Sequence, residues 1–415
     1  MAQDGSQRVH GHRRRRLLAA LAGAPALATP ALRRATAQGA PLRIGVLTDM
    51  STWGKDNGGP GAVWAVREAV KAFGGMVAGR PVEVQVGDHQ MSPDLGMTIA
   101  RRWLDEGVDA ITDLENSAVA LGVSNLCHQK DRIALVSGAG SSELTNSRCN
   151  SRTVCFTYDT YSIAKVTADA LARQGAKTWF FISADYAFGK QLQADATGFI
   201  EQAGGKVAGA ALHPSGTADF SSFLLQARAS KADVVALANT GADCTNALKQ
   251  AAEFGLARRG QKIAALSMFD TDIMAAGLET AQDTLMATSA WADMNDETRA
   301  WAAGYRAAVG LVPTMLQIGD YGVTLHYLKA VRAAGTAEPE RVMAKMRELP
   351  IEDAFVKGAT LRADGRVMRD MHLMRVRKPA EAKPPFGYME LVSTVRAEDA
   401  FRPASASACP LLRRT

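Results

Sequence analysis

The stretch 108–145 reads VDAITDLENSAVALGVSNLCHQKDRIALVSGAGSSELT and decides the fold. An apolar run at Val108–Ile111 precedes a segment with helical spacing, and a second apolar run follows at Ile133–Val136. This order predicts a strand, a helix and a parallel strand, with a small polar loop after each strand. The loops contain Ser117 and Ser137–Ser142. Open α/β sheets bind ligands at the carboxyl ends of parallel strands, so both loops are expected at a binding site.

Ser117 stands where the N-cap of that helix is expected, so neighbouring backbone N–H groups should point out of the fold. Such a helix start accepts a carboxylate or a phosphate. The alternative is that Ser117 only caps the helix and that the glycines of the second loop only turn the chain.

Length and composition indicate a globular protein of two domains. The chain has 415 residues, of which 47% are apolar and 22% charged; one ordinary core does not accommodate this length. The formal net charge of +6 is concentrated in residues 1–37, which hold seven arginines and one acid, so the remainder carries no net charge. Nucleic-acid binding therefore has no electrostatic support.

Residues 1–37 have the organisation of an export signal. Arg13–Arg16 precede an apolar run at Leu17–Leu32, and Ala35-Thr36-Ala37 is a small-x-small cleavage site, with Ala26-Leu27-Ala28 as the alternative. The Arg-Arg-Arg-Leu-Leu segment resembles a twin-arginine signal. We expect cleavage there and a periplasmic mature protein without membrane insertion; a disordered basic tail is the alternative.

Several different short motifs are spread along the chain from Leu42 to Leu391. Their order and spacing together are more specific than any one motif alone. With Ser117 and the Ser137–Ser142 loop, they resemble type 1 periplasmic binding proteins, most closely the leucine/isoleucine/valine-binding group of ABC-importer receptors. The motifs are Met50-Ser51, Gly58–Gly61, Tyr158–Tyr161, Asp185–Gly189, Asp219–Ser222 and Asp320-Tyr321.

The pattern of elements agrees with this resemblance. Strand and helix patterns alternate from Leu42–Thr48 to Ile133–Val136, and a second series begins near Tyr158. The resemblance implies two doubly wound parallel-sheet α/β lobes joined by a hinge that the chain crosses several times. We place lobe 1 at 42–159 plus 291–367, lobe 2 at 160–290 plus 368–400, and a disordered tail at 401–415.

The resemblance also implies a function and partners. The protein would capture a small carboxylate between its lobes and deliver it to the permease and ATPase subunits of an ABC importer, as a monomer without a cofactor. Branched-chain amino acids, aromatic acids and small amides all suit the family. An amino acid also needs acceptors for its ammonium group, and the second-lobe loop Ser267–Asp270 offers one carboxylate, Asp270, which favours a carboxylate ligand without an amino group. The alternatives are a ligand-sensing receptor and an exported hydrolase.

The ligand contacts are expected from loops that follow strands in both lobes. Aromatic residues at such positions indicate either an aromatic-lined cleft or packing between the lobes. Asp159 either orients Tyr161 or faces a ligand cation. The predicted contacts are Trp53, Ser117, Ala139, Gly140, Ser141, Tyr161, Phe188, Asn239, Thr240 and Phe269.

No catalytic or metal-binding motif emerges from the sequence. The histidines lack HExxH spacing, G-x-S-x-G is absent, and the five cysteines lack zinc spacing. We therefore expect no enzyme activity and no metal site. Cys149 and Cys155 are close in sequence and form a candidate disulfide in an exported protein. Cys127 and Cys244 are expected to be buried thiols.

Overall fold

The computed structural model describes residues 39–413, and its first lobe is centred on a six-stranded sheet. The LRIGVLT segment forms a central strand because its continuous apolar run suits a strand covered on both faces. All neighbouring pairs are parallel except the short antiparallel pair at one edge. The strands are β1 (Leu42–Thr48), β2 (Met76–Val77), β3 (Arg80–Asp88), β4 (Ala110–Asp113), β5 (Ile133–Val136) and β6 (Thr153–Cys155), in the order β2-β3-β1-β4-β5-β6.

Three helices connect these strands and cover the sheet. Ser92 caps one of them by accepting from the backbone N–H of Leu95, and Pro93 occupies its first position. Their apolar faces belong to two buried clusters on opposite sides of the strands. The helices are α1 (Gly59–Phe73), α2 (Pro93–Asp105) and α3 (Ser117–Gln129).

The second lobe repeats this architecture around a four-stranded parallel sheet. Its strands are β7 (Thr178–Ala184), β8 (Lys206–His213), β9 (Val234–Ala238) and β10 (Lys262–Ala265), in the order β10-β9-β7-β8. Its helices are α4 (Thr160–Arg173), α5 (Ala187–Gln202), α6 (Ser221–Ser230), α7 (Gly241–Glu253), α8 (Asp270–Ala276) and α9 (Leu278–Ala281).

The chain then returns to the first lobe. After β11 (Leu285–Thr288) come α10 (Asp296–Val309), α11 (Met315–Ala334) and α12 (Pro339–Glu348). Tyr327 and Leu328 of α11 share a core with β1 and α1. The sequence pattern predicts helices at Asp296–Val309 and Gly319–Ala334; the first is confirmed to the residue, whereas α11 begins four residues before its predicted start.

The last elements lead back to the second lobe. A short hairpin of β12 (Thr360–Leu361) and β13 (Val367–Met368) is followed by β14 (Met371–Val376), β15 (Met389–Val395) and α13 (Ala397–Ala400). β14 pairs antiparallel with both β11 and β15. The sequence did not predict this sheet, because β11 has only four residues and β15 is largely exposed.

The structure contradicts two predictions, the disordered tail and the disulfide between Cys149 and Cys155. Phe401 and Cys409 are buried, and Cys409 forms a disulfide with Cys149 across a Cα–Cα distance of 5.7 Å, so 401–413 is ordered. Cys155 is not the partner, because it ends β6 and its thiol is buried in the first-lobe core. Cys127 and Cys244 are buried free thiols, as expected.

The predicted export signal, including Arg13–Arg16 and the cleavage site at Ala35–Ala37, lies outside the described residues. No helix within residues 39–413 combines the length and apolar character needed to cross a lipid bilayer.

Candidate functional site

Three loops of the first lobe meet at one edge of its sheet. They are residues 49–58, 114–117 and 137–141, and we call them the first-lobe edge. Their strands β1, β4 and β5 are adjacent and parallel, so their carboxyl ends lie side by side. The loops are joined directly, since the Gly138 N–H donates to the carbonyl of Asp113 at 3.0 Å.

The turn after β4 has an unusual backbone. Asp113 and Leu114 have φ angles of 71° and 59°, in the left-handed region that non-glycine residues seldom adopt. Such strained residues concentrate at functional sites, where the surrounding structure enforces them. Here the turn carries Glu115, Asn116 and Ser117 onto the first-lobe edge.

The cap of α3 differs from the prediction. Asn116, not Ser117, is the N-cap, because its side-chain oxygen accepts from the N–H groups of Ala118 and Val119 at 2.8 and 3.2 Å. Ser117 is the first helical residue and is 1% exposed. Its Oγ has no hydrogen-bond partner within residues 39–413, which leaves a buried hydroxyl free for a ligand.

The second loop also offers free donors. The N–H groups of Ala139, Gly140 and Ser141 donate to no acceptor in the described part of the chain. The loop itself is held firmly, since Gly140 accepts from the Thr160 N–H at 2.6 Å and packs on the Tyr158 ring. A β-carbon at position 140 would lie 2.6 Å from that ring. This rigid row of amides is suited to an anion.

Ser142, the next residue, is already engaged. Its N–H donates to Thr160 Oγ1 at 3.1 Å and its Oγ to the buried carboxylate of Asp195 at 2.8 Å. Thr160 Oγ1 also donates to Asp195, at 2.7 Å. Ser142 therefore joins the two lobes and is not free for a ligand.

Aromatic rings dominate the opposing edge of the second lobe. Trp53 reaches across from the first lobe, with its ring centroid 6.0 Å from that of Tyr186. Phe188 lies 6.1 Å from Tyr186 and 6.5 Å from Tyr158, and Phe269 lies 6.0 Å from Tyr158. These five residues form what we call the aromatic cluster.

Polar atoms near the aromatic cluster are sparse and partly free. Asn239 Nδ2 lies 3.1 Å from His213 Nε2, which fixes the amide. Among the residues described, Asn239 Oδ1, Thr240 Oγ1 and Ser267 Oγ lack partners. The second lobe thus presents apolar area with a few hydrogen-bonding groups, as small-molecule sites do.

The lobes are in contact at this site. Thr271 Oγ1 donates to Asn57 Oδ1 across the cleft at 2.6 Å, and Gln317 Nε2 donates to the Asn57 carbonyl at 2.6 Å. A cavity of about 250 Å³ remains beside Trp53. It is lined by loop 53–57 and by α7 and α8, whereas Ser117 and residues 139–141 do not line it.

Tyr161 lies apart from the other predicted contacts. Its ring packs on Phe199, at 5.0 Å between centroids, and under the guanidinium of Arg402 at 4.6 Å. Asp159 neither orients Tyr161 nor faces the cleft; it caps α4 by accepting from the Ser162 N–H and pairs with Arg366. Tyr186, which lies in the Asp185–Gly189 motif but outside the predicted contacts, is the ring that meets Trp53.

Buried carboxylates underlie the first-lobe edge, a feature that the sequence analysis missed. Burial, and then the neighbouring Asp49, raises the pKa of Asp113 to about 7. Burial together with Asp113, Asp49 and Asp320 raises the pKa of Glu115 well above its usual value. Burial and Asp113 likewise raise the pKa of Asp320. The one sign of this cluster in the sequence was Glu115, an acidic residue in the loop that follows a predicted strand.

These acids do not form a set of metal ligands within residues 39–413. In the part of the chain described, no three His, Cys, Asp or Glu side chains are arranged to hold a metal ion. Asp49 is used locally, since it accepts from the N–H groups of Thr52 and Gly54 and so shapes the loop that carries Trp53. Asp270 is buried at the start of α8, and burial raises its pKa to about 7.

Two lobes with facing strand ends and a row of free donors define a type I periplasmic binding fold. The sequence matches the periplasmic binding protein family over residues 41–382, and the chain belongs to that family. It is a solute-binding protein of the ABC-transporter class, whose members are binding components and not enzymes. The resemblance seen in the sequence is confirmed.

Solved structures support the same assignment. A periplasmic binding protein from Burkholderia mallei is 42% identical, with a TM-score of 0.87 over 89% of this chain and 99% of that one. A branched-chain amino acid ABC transporter ligand-binding protein from Burkholderia xenovorans is 39% identical, with a TM-score of 0.79 over 89% and 100%.

A solute-binding protein from Rhodopseudomonas palustris in complex with 3,4-dihydroxybenzoic acid is 21% identical, with a TM-score of 0.77 over 86% and 98%, and shares the fold. Among curated proteins, none matches the sequence.

Proposed function

We propose that the protein captures a small carboxylate between its lobes and delivers it to the permease and ATPase subunits of an ABC importer. The observation that carries this proposal is the set of free donors at the first-lobe edge: the amides of residues 139–141 and the Ser117 hydroxyl. Backbone amides and hydroxyls aimed at one point bind anions without a basic side chain. The mature chain is expected to act as a monomer.

The second lobe supplies the cover. In this proposal Phe188, Phe269 and Tyr186 face the organic part of the ligand, and Trp53 closes over it from the first lobe. Asn239 and Thr240 offer the hydrogen-bonding groups at that end. Tyr161 is left out, because its ring packs on Phe199 and Arg402. Closing the lobes buries the ligand and favours the closed state by its differential affinity.

The amino group of the ligand is the main question within this class. The branched-chain relative points to an amino acid, whereas the sequence favoured an acid without an amino group. Glu115 beside the donor row bears on this choice, since an ionised Glu115 repels a bare carboxylate and attracts an ammonium group. Matched pairs separate the two: leucine against 4-methylpentanoate, and phenylalanine against 3-phenylpropanoate.

The four candidate ligands are screened by thermal shift against the wild-type protein. The ligand that stabilises it most is then titrated calorimetrically into the wild type and into Ser117→Ala. The substitution removes a hydrogen bond to a charged acceptor, worth about 1.5–3 kcal/mol, and should weaken binding roughly ten- to hundredfold.

Ser124→Ala is the matched control. Ser124 is an equally buried serine of α3 whose Oγ donates to the Leu121 carbonyl. Ser142 is unsuitable as a control because its hydroxyl bonds Asp195. Equal affinities of wild type and Ser117→Ala would move the anion site elsewhere.

Export by the twin-arginine route is a separate part of the proposal. Arg14→Lys with Arg15→Lys should trap uncleaved precursor inside the cell, because that route reads the arginine pair. Normal periplasmic accumulation of this variant, measured by fractionation and immunoblot, would exclude the route and leave the binding proposal untouched.

A further inference from the structure

The segment Phe401–Cys409 runs from one lobe to the other, and we call it the strap. At its start, Ala400 and Phe401 are buried in the second-lobe core with Phe199 and Leu373. At its end, Cys409 is bonded to Cys149, close after the short helical turn Ser142–Thr145, whose Leu144 belongs to the first-lobe core. The strap is thus anchored in both lobes.

Contacts along the strap fix it at both ends. The Ala408 N–H donates to Asn146 Oδ1 at 2.7 Å, on the first-lobe side. On the second-lobe side, Arg402 Nη2 donates to Asp195 Oδ1 at 3.0 Å, the carboxylate that also accepts from Ser142 and Thr160. Arg402 therefore completes the polar network that joins the lobes beside residues 137–141 of the first-lobe edge.

The strap also runs beside the β12–β13 hairpin, through which the chain passes from the first lobe to the second for the last time. Arg362 Nη1, in that passage, donates to the Arg402 carbonyl at 3.0 Å, and the Arg366 guanidinium lies 4.7 Å from the centre of the Phe401 ring. Arg366 is fully buried and its Nη1 donates to the Tyr158 carbonyl at 2.8 Å, in the passage that leaves the first lobe. One buried cation thus links the strap to two connecting segments.

We propose that the strap is a covalent restraint on hinge opening, which limits how far the lobes separate in the ligand-free protein. The chain connections of a hinged protein bend freely at a few residues. The strap is continuous with the second lobe at Phe401 and bonded to the first lobe through Cys409. Its length is therefore fixed, and the distance between Phe401 and Cys409 is at most about 28 Å when the segment is fully extended. Opening beyond that reach requires the disulfide to break. This inference rests on the proposed closure of the lobes around a ligand.

The test measures the distance between the lobes without any ligand. Spin labels are attached through a keto-bearing amino acid in place of Arg101 on α2 and Lys249 on α7, two exposed sites whose labelling involves no thiol. Pulsed electron–electron double resonance then gives the distribution of label-to-label distances. It is measured for the oxidised chain, for the double variant Cys149→Ser/Cys409→Ser, and for the wild-type disulfide after treatment with a phosphine reductant.

We expect one narrow distribution for the oxidised chain, and a broader one shifted to longer distances for the double variant and the reduced chain. Reductant should change the double variant no further. Cys127→Ser, which removes a buried free thiol of the same lobe, should match the oxidised chain. If the double variant does not fold, reduction of the purified wild type supplies the same comparison.

A second variant separates restraint from simple stabilisation. Inserting Gly-Gly-Ser-Gly between Pro403 and Ala404, in an exposed part of the strap, keeps the disulfide but lengthens the strap by up to ~13 Å. We expect the distribution to broaden as in the reduced chain. If the distance distributions of the insertion variant and of the reduced chain are unchanged, the strap does not restrain hinge opening, whatever the melting temperatures of these forms. The carboxylate titration tests binding independently, so the two failures are distinguishable.

Discussion

The two edges that face each other across the cleft use different chemistry. The first-lobe edge presents backbone amides and the Ser117 hydroxyl above buried carboxylates, and its loops are held by short hydrogen bonds. The second-lobe edge presents Tyr186, Phe188 and Phe269 with a few free polar atoms. Hydrogen bonds are directional and ring contacts much less so. Under the proposed function, the first lobe therefore orients the ligand by directional hydrogen bonds, while the second lobe encloses it.

Gly140→Ala should have the largest effect on binding if this division holds. A β-carbon there lies 2.6 Å from the buried Tyr158 ring, so the loop must shift and its amides lose their aim. Two hydrogen bonds to a charged acceptor are worth about 3–6 kcal/mol, so we expect at least ~100-fold weaker binding by calorimetry.

Gly198→Ala is its control. Position 198 lies in α5, where nothing is within 4 Å of an added β-carbon, and alanine favours a helix. Wild-type affinity in Gly140→Ala would show that the amides of this loop do not hold the ligand.

The acids beneath the first-lobe edge should make stability fall with rising pH. The folded chain holds the protons of Asp113 and Glu115 more tightly than the unfolded chain, so this stabilisation is complete below about pH 4 and is lost as pH rises through about 7 and above. Glu115→Gln removes one such group. Denaturant unfolding should show it more stable than wild type by ~1–3 kcal/mol at pH 8, with the gap closing near pH 4.

Glu201→Gln, an exposed acid of α5, should show no such gap. A Glu115→Gln variant less stable than wild type at pH 8 would mean that the Glu115 carboxylate is ionised and well solvated in the folded chain.

Trp53, a member of the aromatic cluster, and Tyr161, which lies apart from it, test which rings belong to the binding site. Trp53→Ala removes the ring that meets Tyr186 across the cleft and should weaken ligand binding about tenfold, as expected for an aromatic pair with its buried area. Tyr161→Ala should change affinity by less than about twofold, since its ring packs on Phe199 and Arg402. A loss of tenfold or more in Tyr161→Ala, measured by calorimetry, would return Tyr161 to the ligand contacts predicted from the sequence.

The smallest expected effect is that of salt. Raising ionic strength from about 0.01 to 0.15 M should weaken ligand binding less than about twofold, because short contacts in a closed cleft are poorly screened. The titration is repeated in buffers of equal pH. A steep dependence would indicate a long-range attraction from lysines or arginines and would break the assignment of the anion to the backbone amides.

Local pattern predicted most of the fold. The strands at 42–48 and 133–136 and the helix at 296–309 are confirmed to the residue, because each is a periodic or continuous apolar run with clear end signals. The edge loops followed from the rule that parallel strands end together. The β11-β14-β15 sheet was missed because its pairing joins segments far apart in sequence and its strands are short or exposed.

The sequence by itself determined the family, the two-lobe architecture and the loops that carry the candidate site, because these depend on periodicity and on motif order. The tertiary structure alone decided which polar groups are free. Asn116 takes the cap and leaves Ser117 unpaired, and Tyr161 turns toward Arg402. It also decided that Cys149 meets Cys409, 260 residues away. Such choices depend on which side chains chain folding brings within hydrogen-bonding or bonding distance, and neighbours in sequence do not report that distance.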